Sequence, residues 1–166
     1  VRPVSPKDPA LAPLFDRLVE WRTEEGGPPA HHRTLDEREL RDSIRHEVAH
    51  VLGTRCALSL ADEARLTPVE RSAVDYGLPD VGPLSLDSAE GVRHLEQLIA
   101  RAVEAFEPRL EHIQVTVQTP GAQRALPVAV ITARVVRPGH ADTLSFPLQL
   151  DRSGRLVEVG DEFPEG

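Results

Sequence analysis

Methionine is absent from this 166-residue chain, which holds one cysteine, one tryptophan and one tyrosine and has an aromatic content of only 4%. Each shortage removes a class of function. Without methionine, no Met-turn can underlie a metzincin-type zinc site. A lone Cys56 excludes an internal disulfide and fits a reducing compartment. So few aromatic rings leave little for a sugar to stack on. The longest apolar stretches, such as Leu126 to Ala133, fall far short of a membrane span, and Val1-Arg2-Pro3 leads into no apolar signal region. Direct membrane insertion is therefore not expected. Basic charge is scarce too: 19 Lys and Arg face 27 Asp and Glu, a net charge of -8, which speaks against nucleic acid as a partner.

What is present, 40% apolar and 28% charged residues, suits one soluble globular domain with a real core. Pro3, Pro6, Pro9 and Pro13 mark residues 1–12 as an extended arm. A short helix is expected from Pro13 to about Arg22, with Phe15 and Leu18 among its apolar residues, followed by a Gly-Pro break before residue 34. The next helix, about Asp36 to Leu52, has an apolar stripe at Leu40, Ile44, Val48, Val51 and Leu52 and Gly53 as its closing residue. Another short helix begins at Thr67-Pro68 and ends before Tyr76. Ser88 caps a long helix that runs to Phe106, where Pro108 stops it. His112 to Thr119, Ala125 to Val136 and Thr143 to Leu150 alternate as strands joined by Pro-Gly turns, with Leu156 to Val159 as a last edge strand. The expected fold is α/β in the α+β sense, a compact domain of three main helices on a small, mostly antiparallel sheet. Its expected limits are residues 13–152: an N-terminal helix and linker at 13–33, a helical half at 34–106 and a sheet half at 107–152. Residues 153–166 form a tail.

Two motifs carry chemistry. His46-Glu47-Val48-Ala49-His50 matches the zinc-protease pattern, two histidines one helical turn apart with a glutamate base, and Cys56 stands where a third ligand would fall. On the helix wheel the two histidines lie roughly 150° from the apolar stripe, which points them to solvent. An exposed pair lacks the dry cleft and oriented supports of a catalytic zinc, so no metal and no cofactor is expected. Glu107-Pro108-Arg109 sits at the corner between helix and strand and presents a carboxylate and a guanidinium from a rigid bend. Tyr76-Gly77-Leu78-Pro79-Asp80 reads as a well-made turn, with glycine at a left-handed position and proline behind it.

Leu14-Phe15-Asp16-Arg17-Leu18, Tyr76-Gly77-Leu78-Pro79-Asp80 and Phe106-Glu107-Pro108-Arg109-Leu110, in that order, resemble the TssE family of type VI secretion baseplate subunits. That family is similar to the small wedge protein of contractile phage tails. The resemblance implies a structural, non-enzymatic wedge component in the bacterial cytoplasm, at a baseplate docked on the inner membrane. Its implied partners are TssF, TssG and TssK and the sheath proteins TssB and TssC, and its sheet looks like the strand-exchanging handshake part of a sheath subunit. Phe15, Leu18, Glu107, Pro108, Arg109 and Tyr76 to Asp80 are then the protein-binding residues, with Glu107 and Arg109 expected to make separate contacts to neighbouring chains. A related injection particle or phage-like tail would use a similar part. The phage relatives have carried a lysozyme-like label, and Glu104, Glu107 and Glu111 cluster near the corner. Glycoside hydrolysis, however, needs a desolvated acid and sugar platforms. A zinc hydrolase built on His46, Glu47 and His50 is the alternative reading from another class.

Overall fold

Two capped helices and one antiparallel sheet organise the chain, as seen in a computed structural model that describes residues 10–11, 34–119, 126–136, 142–151 and 155–158. β1 (Ala10–Leu11) pairs with β2 (Thr34–Leu35), and Leu35 is buried. Helix α1 spans Glu37–Gly53. The amide of Glu39 donates to Asp36 Oδ1 at 2.8 Å and that of Asp36 to Glu39 Oε2 at 2.9 Å, so each satisfies an end the other leaves bare. Its buried face is Leu40, Ile44, Val48, Val51 and Leu52, the expected stripe. Gly53 is not the cap: it is the last helical residue, and extended Thr54 closes the helix through its hydroxyl on His50 O at 2.7 Å.

A short helix α2, Leu60–Glu63, was not expected, and two 3-10 turns, Pro68–Glu70 and Ala73–Asp75, replace the one helix expected from Thr67 to before Tyr76. Helix α3, Ala89–Phe106, starts at Ser88, whose Oγ accepts from the Gly91 amide at 3.0 Å. It buries Leu95, Leu98, Ile99, Ala102 and Val103, each of the larger ones contributing roughly 1.5–3 kcal/mol of burial.

β3 (Leu110–Gln118), β4 (Val128–Val135), β5 (Thr143–Leu150) and β6 (Leu156–Glu158) form a sheet in the order β3-β4-β5-β6, antiparallel throughout. Residues alternate: Ala129, Ile131, Ala133 and Val135 of β4 and Leu144, Phe146, Leu148 and Leu150 of β5 all face the core. α3 lies on β3, and α1 packs on α3 and on the β5 and β6 end. The result is three helices on a four-stranded sheet around one core. That core reaches Leu156, which is buried, beyond residue 152. β5 is not an edge along its whole length, because β6 covers Leu148 to Leu150; the register leaves the outward groups of Thr143 and Ser145 without a strand partner among the described residues. No helix among the described residues is long and apolar enough to cross a membrane. The helix expected at 13–22, with Phe15 and Leu18, and both Pro-Gly turns lie outside the described residues.

Candidate protein-binding site

The corner between α3 and β3 is held from inside. Glu107 is only 2% exposed, and both its carboxylate oxygens are taken by Arg109: Nε donates to Oε1 at 2.7 Å and one terminal nitrogen to Oε2 at 2.6 Å. The Arg109 amide adds a third bond to Oε1 at 3.1 Å, and the other terminal nitrogen reaches Ser43 Oγ on α1, also at 3.1 Å. The pair therefore ties the corner to α1. Glu107 and Arg109 engage each other within this chain. The physical reason is the turn at Pro108, which lets Arg109 fold back over a carboxylate that burial would otherwise penalise. Pro108 is exposed, and the Arg109 side chain keeps 24% of its surface.

The second motif is a loop drawn into the fold. Leu78 donates its amide to Thr54 O and accepts from the Cys56 amide, each at 2.9 Å, and Gly77, Leu78 and Pro79 are all buried. Gly77 has φ 105°, and a Cβ there would meet Thr54 O at 2.4 Å, so position and handedness both demand glycine. Asp80 stays exposed and pairs with Arg55 at 2.7 Å. Tyr76 is half-buried between Phe106, 5.1 Å away between ring centroids, and His50, at 6.0 Å. Burial, with the charges of Glu47 and Glu107 behind it, pushes the Tyr76 phenol above its ordinary range. Of the five motif residues, a partner would reach Tyr76 and Asp80 directly and the other three through the backbone they shape.

The residues of the enzyme readings are dispersed. His46 and His50 are exposed, Glu47 and Cys56 half-buried, and among the described residues no three His, Cys, Asp or Glu side chains converge on a metal position. Of the three corner glutamates, Glu107 is bound to Arg109. Glu111 lies in an open depression with Glu104 and His112, lined by no Phe, Tyr or Trp. A hydrogen bond from Arg134, 2.7 Å away, holds the Glu111 carboxyl below the usual range, the opposite of what a general acid needs.

Two features escape a reading of the sequence alone. His112 has φ 52° at a register shift between Glu111 and Gln114, a bulge that no glycine announces. Glu63 is 2% exposed and paired with Arg101 of α3 at 2.9 Å, while Arg101 also donates to the carbonyls of Glu63 and Leu66. Partners 38 positions apart leave no local signature.

The profile of the baseplate wedge protein gp25 family matches residues 38–137, more than half the chain, from the first turn of α1 to the end of β4. The chain belongs to the gp25 baseplate wedge family. Its members are structural components of phage-tail-like baseplates, and the matched span holds the corner, the Tyr76 to Asp80 loop and most of the core. Among solved structures, a chain of the baseplate complex from the type VI secretion system aligns with this gp25-family chain at 21% identity and a TM-score of 0.49, over 74% of this chain and 98% of that one. A tail lysozyme from Geobacter sulfurreducens aligns at 21% identity and a TM-score of 0.46, over 73% and 98%. No curated protein matches.

Proposed function

We propose that this gp25-family chain is the wedge component that joins the baseplate of a type VI secretion system to its contractile sheath and helps to start sheath assembly. The observation that carries the reading is the family match over residues 38–137, together with a sheet whose β5 keeps outward backbone groups free at Thr143 and Ser145 among the described residues. A strand from the first sheath ring, TssB or TssC, would pair there, in the manner of handshake sheets. TssF, TssG and TssK are the wedge partners, met at Pro108 and the outer side of Arg109, at Tyr76 and Asp80, and at Phe15 and Leu18. The chain acts in the cytoplasm at a baseplate docked on the inner membrane, and it is not an enzyme. A Glu107 carboxylate neutralised by Arg109 and a Glu111 carboxylate held ionised by Arg134 support the last point.

Ser145→Pro tests the sheath contact. The β4 and β5 register turns the Ser145 amide away from β4, so proline removes an outward donor without breaking a β4 bond. The domain should fold and still recover the wedge proteins, identified by mass spectrometry after affinity purification from the host, while fluorescent sheaths fail to form. Normal sheath assembly in this variant would sink the templating role; recovery of no wedge protein by the wild-type chain would sink the baseplate role itself.

A further inference from the structure

The most exposed of the large apolar side chains among the described residues are close in sequence: Val69 is 95% exposed and Val74 82%. Single exposed valines need no explanation. These two differ in what holds them. Each sits in its own 3-10 turn, and each turn is closed by a side chain reaching back three residues. The amide and hydroxyl of Thr67 both donate to Glu70 Oε2 at 2.8 Å, and those of Ser72 donate to Asp75 Oδ2 at 3.1 and 2.9 Å. Between the turns Arg71 goes inward, 9% exposed, and one terminal nitrogen donates to Asp75 O and to Gly77 O, each at 2.7 Å. Its guanidinium carbon lies 4.9 Å from the centre of the Phe106 ring. The remaining donors, Nε and the other terminal nitrogen, are buried with no partner among the described residues.

A buried guanidinium with idle donors and no carboxylate is unfavourable, and such a group calls for a reason. Core packing does not supply it, since neither turn buries any residue of its own. What Arg71 secures is a fixed outward shape. The bonds from Thr67 keep the Glu70 carboxyl below its ordinary range, so the turn carries its charge, and Glu70 Oε1 and Asp75 Oδ1 are left free among the described residues to face a cation.

We propose that residues 67–75 are a preformed docking knob, in which Val69 and Val74 enter an apolar pocket on another protein of the baseplate wedge and Glu70 and Asp75 meet lysine or arginine side chains at that pocket's rim. This rests on the wedge reading above. The two turns need no ordering on binding, so the contact forms without the entropy loss of a loop that folds on its partner.

The test uses the full chain expressed in its host. The photo-cross-linker p-benzoylphenylalanine, placed at Val69 or at Val74, should capture another wedge protein, identified by mass spectrometry. Val69→Asp with Val74→Asp should leave the melting temperature within about 2 °C of wild type, as surface changes do, and lower recovery of that wedge protein about tenfold or more. Arg71→Met should lower both recovery and melting temperature, because it loosens the knob from beneath. Wild-type recovery by the aspartate variant, or cross-links only to a second copy of this chain or to lipid, overturns the knob and leaves the baseplate role standing. Failure of the wild-type chain to recover any wedge protein overturns both. If the aspartate variant does not fold, the cross-links alone decide.

Discussion

A carboxylate as deeply placed as Glu107 must either take a proton or find a cation, and Arg109 supplies the cation through a two-pronged contact with one prong left for α1. Removing the cation strands the charge. Arg109→Ala should cost about 3 kcal/mol of stability, read from urea unfolding, and Arg109→Lys should recover only part of it, since an ammonium cannot bridge both oxygens and Ser43. An Arg109→Ala protein as stable as wild type would show that the corner is held by packing alone. Tyr76 offers a cleaner measurement because it is the only tyrosine in the chain. Its phenol is raised in the folded state, so the folded chain keeps that proton where the unfolded chain releases it. The associated stability is therefore complete below the unfolded value of about 10 and is lost as pH climbs through the folded one. Absorbance at about 295 nm should titrate above pH 10 in the native protein and fall back to about 10 in denaturant. A native midpoint at the ordinary value would contradict the packing of Tyr76 between Phe106 and His50.

At the scale of elements, the long helices with an apolar stripe behind their caps were legible, and the short capped turns without one were not. Asp36 and Ser88 announce α1 and α3 because a cap is a bond between residues three apart, and the apolar stripe of α1 is the one observed. The stretch from Thr67 to Asp75 reads as a single helix and is two 3-10 turns in space, and the short helix Leu60–Glu63 before it carries no periodic pattern. Their shape is set by Arg101 and Arg71, cations that reach carbonyls rather than by any periodicity. The strands were found from alternation, but the bulge at His112 was not, since its side chain and its backbone sign carry no common signal. Of the candidate site, the corner is legible by position: a sequence shows that Glu107 and Arg109 are close, and only burial shows that they face each other. Gly77 was read correctly from the turn. Gly77→Ala should destabilise the fold by about 3 kcal/mol, combining a left-handed backbone with a methyl group driven into Thr54 O. A thermal melt within a degree or two of wild type would mean that the loop relaxes away from α1 without loss.

For the molecule as a whole, a wedge protein whose β5 edge is partly open among the described residues is at risk of pairing with its own copies. Pro147 lies in β5 opposite Val130, in a pair whose backbone groups turn away from β4, so the ring sits where the outward amide of that position would be. One donor is thus missing from the side of β5 that is open to newcomers, between the two residues left free, Thr143 and Ser145, and the three that β6 covers. Two copies laid edge to edge would find a ladder too short to hold them, whereas a strand delivered at high local concentration by a neighbouring subunit would still find its two rungs. Pro147→Thr should restore the rung and make sedimentation depend more steeply on concentration than it does for wild type; sedimentation identical to wild type up to high concentration would leave this ring without that duty. On the sheath contact proposed above, a single imino acid would act as a timer as much as a wall, keeping stray copies apart in the dilute pool and yielding once a growing machine brings the right strand alongside.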